Sequence, residues 1–293
     1  MTAKILDGTK LAAELLLDLK NKVSKLKSQY NLTPTLAIIQ VGDNYASNIY
    51  INNKIKKCRE INIAHQLFKF AQDVSEEEIT DQITLLNSDN NIHGIIVQMP
   101  LPRKINISNI INLIDPNKDV DGFHPLNIGK LLTGQNAMVP CTPQGCLMLI
   151  KTFTKDLTGK KALIIGRSNI VGKPMSYLLL KENCTVTIAH SFSKNIAKES
   201  KQADIIVAAI GKSEFITDSF IKKGAIIIDV GINHQLKAGV KKISGDVDFK
   251  NITQIAGAIS PVPGGVGPMT VACLLKNTVL AACLNINIKL TEI

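Results

Sequence analysis

From Lys161 onward the chain repeats one pattern, a short β-rich apolar run followed by a helix-compatible segment. The runs are Ala162–Ile165, Cys184–Ala189, Asp204–Ala209 and Ala225–Val230. Strands this apolar must be covered on both faces, and the intervening helices supply the cover, so the pattern predicts a parallel, doubly wound α/β sheet. The first half is built from similar pieces. Leu11, Leu15, Leu19, Val23 and Leu26 recur at helical spacing, and Thr35–Val41 reads as a buried strand. Gly42-Asp43-Asn44 then turns the chain into a helix that starts near Ser47. A further strand, His93–Gln98, stops at Met99-Pro100-Leu101-Pro102, where two prolines forbid central pairing and leave its carboxyl end accessible. Lys130–Pro143 is the best hinge between the halves, and Pro268–Ile286 has the spacing of a final helix.

Composition narrows the class. Hydrophobic residues make up 45% and charged residues 20%, with 4% aromatics and no Trp, so the chain is globular and Ile, Leu and Val must fill its core. Six cysteines include no C-x-x-C pair and lie mostly in apolar runs, which fits buried thiols in a reducing cytoplasm better than a disulfide framework. The start lacks the apolar stretch of a signal peptide, and no run is expected to reach the ~20 apolar residues of a membrane helix. A net charge of +10, from 34 basic and 24 acidic residues, raises nucleic acid as a partner. The basic residues are scattered, however, with no zinc-finger spacing or aromatic-interleaved arm, so solvated lysines explain them better.

Two regions carry candidate chemistry. The strand Ala162–Ile165 enters Gly166-Arg-Ser-Asn-Ile-Val-Gly172, a strand-to-helix turn with glycine at each end, where backbone N–H groups can hold a pyrophosphate. Taken alone it is equally a plain tight turn; the strands and helices around it favour a dinucleotide. The candidate contacts are Gly166, Arg167, Ser168, Gly172, His190, Ser191 and Ile232. The second strand ends in His190-Ser191 without the carboxylate that usually holds the ribose hydroxyls of NAD. With Arg167 in the turn, NADP is favoured.

In the helix after Gly42, Ser47, Tyr50, Lys54 and Lys57 share one face beside the apolar stripe Ile51, Ile55 and Cys58. A lysine desolvated beside an apolar wall can exchange protons near neutrality, although a solvated surface lysine is the ordinary reading of such a helix by itself. Gln98, at the carboxyl end of its strand, and the acid-bearing turn Lys118-Asp-Val-Asp-Gly-Phe-His124 shift that balance. Asp119 and Asp121 also raise a metal, but no histidine pair or third spaced acid accompanies them, and no metal is expected. Pro261–Thr270 packs three glycines and three prolines into a loop that either approaches a flat ligand closely or simply turns the chain.

Taken together, these segments resemble the bifunctional methylenetetrahydrofolate dehydrogenase/cyclohydrolase family, called FolD in bacteria. The resemblance rests on six ordered blocks: Val41-Gly-Asp-Asn with Ser47, Tyr50 and Lys54; Val97–Pro102; Lys118–Phe123; Cys141-Thr-Pro143; Gly166–Gly172; and Pro263–Thr270. It implies a Rossmann-type NADP-binding domain over residues 140–270 and an α/β catalytic domain over 1–139 and 271–293, completed by the carboxyl-terminal helix. A folate cleft where the domains meet and a homodimer are also implied. Lys54, hydrogen-bonded to Gln98, would serve proton transfer; Asp121 would hold the pterin edge, and Tyr50 would pack on the folate. Ser47, Pro263, Gly264 and Gly265 complete the expected substrate contacts. Where the common form has a basic residue or threonine, this chain has Phe192-Ser193, which leaves Ser191 and Arg167 as candidate phosphate contacts. The alternatives are an enzyme retaining one of the two activities and, from another class, a noncatalytic nucleotide- or nucleic-acid-binding module.

Overall fold

Runs of Ile, Leu and Val become strands because their branched side chains pack well on a pleated surface covered from both sides. In the computed structural model, which describes residues 2–237 and 240–293, they are β1 (Lys4–Ile5), β2 (Thr35–Val41), β3 (Ala64–Phe70), β4 (Gly94–Val97), β5 (Lys161–Ile165), β6 (Thr185–Ala189), β7 (Ile205–Ala208), β8 (Ile226–Asp229), β9 (Asn233–Lys237), β10 (Val240–Ser244) and β11 (Ala258–Ile259). The chain divides into two compact units, one of residues 1–12 with 142–270 and one of residues 13–141 with 271–293.

The first unit holds a six-stranded sheet in the order β1-β11-β8-β7-β5-β6, every pair parallel. The chain passes from β5 outward to β6 and then returns to β7 on the other side of β5. Strand order therefore reverses between β5 and β7, the point at which parallel sheets open a crevice above their carboxyl ends. Leu163, Ile165, Ile206, Ala208, Ile227 and Ile259 form part of the buried core on this sheet. The doubly wound sheet follows the expected pattern. Its two outermost additions are less visible in the sequence: β1 and β11 are two residues each, too short to leave a period. β9 and β10 form a separate antiparallel pair.

The second unit is built on a parallel sheet of order β3-β2-β4. β2 and β4 are buried throughout and correspond to the two apolar runs. β3, with Lys69 and His65 among its residues, lies at the edge, where alternating exposure replaces the apolar run. Helix Val266–Asn285 corrects the expectation about membrane-length segments. By length and composition it is apolar enough to cross a membrane, and 72% of that stretch is buried inside the protein, as befits a core helix apolar on all sides.

His93, just before β4, ties the starts of two strands together. Its backbone N–H donates to the Thr35 carbonyl, and its ring Nδ1 accepts the Thr35 N–H at 3.2 Å. Nε2 is buried without a partner. Burial, aided by the Lys118 charge, lowers the imidazole pKa. The folded state thus binds this proton less readily than the unfolded chain, whose histidine titrates near ~6.5, so the contribution is complete above that pH and is lost as pH falls through the folded value. The urea midpoint of the wild type is expected to drop between pH 7.5 and pH 5 more steeply than that of His93→Gln; parallel curves would exclude His93 as the cause.

Candidate active site

Helix Tyr45–Glu60 begins where Gly42-Asp43-Asn44 ends β2, and the Asn44 side chain caps it by accepting the Ser47 N–H at 3.1 Å. Ile51 and Cys58 are buried, which fixes the rotation of the helix and sets Lys54, half-buried, toward the end of β4. There the Lys54 Nζ donates to Gln98 Oε1 at 3.0 Å. Gln98 is itself held: its backbone N–H donates to the Ile39 carbonyl at 2.8 Å, and its Nε2 donates to the Met99 carbonyl at 2.8 Å. With the amide nitrogen committed, the oxygen must face the ammonium. The buried Ser47 hydroxyl donates to the same Met99 carbonyl at 3.5 Å, so it braces the amide's partner. Tyr50, one turn before Lys54, is partly exposed, and burial of its ring raises the phenol pKa; it stays neutral at physiological pH.

The acidic turn supplies the third group. Asp119 is a structural residue: Oδ1 accepts the N–H groups of Gly122 and Phe123, both at 3.2 Å, and Oδ2 accepts the His124 N–H at 2.8 Å and Asn127 Nδ2 at 2.9 Å. Lys118 is structural too, its Nζ donating to the carbonyls of Leu86, Asn87 and Asp89. Asp121 differs. Its carboxyl accepts no hydrogen bond from the described residues, and burial pushes its pKa up to about 6, the Lys54 charge opposing and the Asp119 charge adding to the rise. The Lys54 ammonium, the Gln98 amide and the Asp121 carboxyl therefore all belong to this unit, with Lys54 bonded to Gln98 and its charge felt at Asp121.

The nucleotide turn lies in the other unit, at the carboxyl ends of the six-stranded sheet. Gly166 has φ +130°, and a Cβ there would strike the Ala209 carbonyl; a Cβ on Gly172 would strike the Gly166 carbonyl. Both positions demand glycine because backbone packs on backbone. The Ser168 hydroxyl accepts the N–H groups of Val171 and Gly172 at 3.2 and 3.3 Å, capping helix Gly172–Lys181. The N–H groups of Arg167, Ser168, Asn169 and Ile170 donate to nothing among the described residues, which fits a turn awaiting an anion. The exposed Arg167 guanidinium lies 5.6 Å from the Phe192 ring centroid. His190 Nδ1 accepts the Phe192 N–H at 3.2 Å, Ser191 is exposed, and Ile232 is 43% exposed. Pro263, Gly264 and Gly265 share this unit with the nucleotide turn and lie apart, by unit, from Lys54 and Asp121; the Gly264 carbonyl accepts the Thr9 N–H at 3.0 Å.

Two supporting groups escape sequence reasoning. Asn277, buried in the last helix, donates from Nδ2 to the Val120 and Val139 carbonyls at 2.8 and 2.9 Å, fixing the backbone beside Asp121. Its signal is a lone amide inside the apolar stretch Val271–Leu280. Asp229 and Asp246 are the second, and their signal is an acid closing Ile226-Ile-Ile-Asp229 and another inside Ser244-Gly-Asp-Val247.

A parallel sheet with open backbone N–H groups in the turn at its switch point, in a chain whose other unit bears a lysine–amide pair and an acid without a hydrogen-bond donor among the described residues, defines a dinucleotide-dependent α/β enzyme. Residues 140–286 match the tetrahydrofolate dehydrogenase/cyclohydrolase NAD(P)-binding domain, and residues 6–121 match the catalytic domain of the same name. A "Bifunctional protein FolD" of Wolbachia (strain wRi) is 53% identical over 281 residues, covering 96% of this chain and 95% of that one. Among solved structures, a bifunctional FolD from Campylobacter jejuni is 44% identical with a TM-score of 0.92, covering 96% of this chain and 98% of that one. The FolD of Trypanosoma brucei, solved with NADP cofactor and inhibitor, is 32% identical with a TM-score of 0.94, covering 98% and 99%. The chain belongs to the tetrahydrofolate dehydrogenase/cyclohydrolase family. It is an enzyme of one-carbon metabolism that oxidises 5,10-methylenetetrahydrofolate to the methenyl compound and hydrolyses that to 10-formyltetrahydrofolate.

Asp119→Ala would leave the Phe123 and His124 N–H groups and one N–H of the Asn127 amide without their acceptor, while the Gly122 N–H keeps the backbone carbonyl of residue 119. Each buried orphan costs about 1–3 kcal/mol, less where water enters, so a loss of about 3 kcal/mol in urea-unfolding free energy is expected; a loss below about 1 kcal/mol would mean that water replaces the carboxylate.

Proposed function

We propose that Lys54, Gln98 and Asp121 are the working groups of both steps and that NADP⁺ is the hydride acceptor. The observation that carries this reading is the Lys54–Gln98 hydrogen bond, with an acid of raised pKa close enough to feel the same ammonium. Asp121 holds the amino-pyrimidine edge of the pterin with a carboxylate that no donor among the described residues competes for. Tyr50 packs against the folate, with Ser47 bracing the Met99 carbonyl that orients Gln98. The backbone of Pro263, Gly264 and Gly265 gives a close approach for a flat ligand.

The dinucleotide would be held by the free N–H groups of the turn between Gly166 and Gly172, with Ser168 shaping it. His190, Ser191 and Ile232 complete its contacts. Arg167 would be the contact for a 2′-phosphate, and no acid at the end of β6 opposes that charge. When bound, it accepts a hydride from the one-carbon bridge, leaving a cationic methenyl carbon. Water adds to that carbon and loses one proton to give a hydroxyl; as the bond to N5 breaks, N5 gains a proton and the hydroxyl loses its own to become the formyl oxygen on N10, for a net release of one proton. Lys54 Nζ is the group that relays these protons, and Gln98 keeps it aimed. We further propose a homodimer, formed through the nucleotide unit, where edge strand β6 presents Thr187 and Ile188 to solvent, and a cytoplasmic location, in keeping with six buried free thiols.

Purified protein given methylenetetrahydrofolate and NADP⁺ should form NADPH. Lys54→Met should slow methenyltetrahydrofolate hydrolysis by at least about a hundredfold, the size of general acid–base assistance; an unchanged rate would remove Lys54 from the mechanism. Because the Asp121 carboxyl titrates at about 6, it is ionised above that pH and protonated below it. Folate affinity should therefore weaken as pH falls through 6, by up to about tenfold per pH unit, when only the ionised form binds. Asp121→Asn should bind weakly with no such pH dependence, as titration of bound ligand fluorescence would show.

A further inference from the structure

The loops that leave β7, β8 and β11 reach the same edge of the sheet as the nucleotide turn, because all these strands are parallel. One fully buried carboxylate, Asp246, holds two of them. Its Oδ2 accepts the Ile210 and Gly211 N–H groups at 2.6 and 3.0 Å, and its Oδ1 accepts the Lys212 N–H at 3.0 Å and Asn233 Nδ2 at 2.9 Å. Three successive N–H groups thus wrap one anion, with Gly211 at φ +74° making the concave arc. Asp246 is placed in turn by Asp229 at the end of β8. Asp229 Oδ1 accepts the Asp246 and Gly231 N–H groups, and Oδ2 accepts the Val247 N–H. The Asp229 N–H donates to the Ser260 hydroxyl at 2.8 Å, so the pair also reaches the start of the Pro261–Gly265 loop.

What Asp246 holds is adjacent to the switch point. The Ala209 carbonyl is the group that a Cβ on Gly166 would strike, so the segment 209–212 forms the wall against which the phosphate turn rests. Asn233, the fourth donor, is next to Ile232. From this placement we infer that Asp246 is a positioning residue for the dinucleotide, holding the segments 209–212 and 231–233 in the arrangement that receives NADP. It touches no reacting atom. All of its acceptor sites are engaged, so an amide in its place must turn an NH₂ toward at least one of the N–H donors it now accepts, and the arc opens. The inference rests on the reading that NADP binds at this edge.

Asp246→Asn and Gly211→Ala test it, with Arg167→Ala as a check on the reading beneath it. Nothing lies within 4 Å of a Cβ at Gly211, so that variant strains the arc through φ alone and should fold. For Asp246→Asn, KM for NADP⁺ should rise at least tenfold while dehydrogenase kcat at saturating NADP⁺ stays within threefold. Hydrolysis of methenyltetrahydrofolate, assayed without nucleotide, should stay within twofold. Gly211→Ala should raise KM at least threefold with the same split. If both variants keep wild-type KM, or if kcat and hydrolysis fall in step with the rise in KM, Asp246 does not position the nucleotide. Should Asp246→Asn fail to fold, Gly211→Ala decides by its KM. Should Arg167→Ala also leave KM for NADP⁺ unchanged, the binding site itself is misplaced; a raised KM in Arg167→Ala beside unchanged values in the other two overturns the positioning role alone.

Discussion

Parallel pairing forces every loop that follows a strand of the large sheet onto one rim, and each of those loops brings backbone N–H groups that must find acceptors. The rim solves this in two ways. In the loops after β7 and β8, buried carboxylates take the donors: Asp246 for residues 210–212 and Asp229 for residues 231, 246 and 247. In the turn between Gly166 and Gly172, the N–H groups of residues 167–170 meet no acceptor among the described residues. The same chemistry, a run of N–H groups around negative charge, is satisfied internally at one loop, and at its neighbour it is the feature on which the proposed dinucleotide site rests.

The second unit uses carboxylates to the same division of labour. Asp119 and Asp121 are two residues apart, yet one is saturated by four donors and the other by none. The saturated acid fixes the turn, and the open one is the acid proposed above for the substrate. Burial without hydrogen bonds is what raises Asp121, and the nearby ammonium limits the rise. The amide of Gln98 has no charge to contribute; its part is geometric, since its nitrogen is tied to Met99 and its oxygen has one direction left.

Much of this is legible in the residues. The long apolar runs at β2, β4, β5, β7 and β8 announce buried parallel strands, and the three-and-four spacing of Ser47, Tyr50 and Lys54 places them on one face. The two-residue strands β1 and β11 carry no period and gain their place from neighbours already present. Edge strand β3 hides because one face sees solvent, so Lys69 and His65 interrupt its apolar signal. Asp246 is invisible for a different reason: a buried acid looks like a surface acid until its donors, 34 to 36 residues earlier in the chain, are folded against it. The last helix misleads in the opposite sense, since its even apolar character suits a bilayer as well as a core, and only its buried setting distinguishes the two.

The open carboxyl at Asp121 also bears on calorimetry. With half its population protonated near pH 6, the resting site carries a hydrogen ion that a ligand needing the anion must expel into the medium. On the proposed role of Asp121, capture of folate in slightly acidic solution is a linked ionisation, and the heat it releases varies with the ionisation enthalpy of whichever buffer takes up that hydrogen ion.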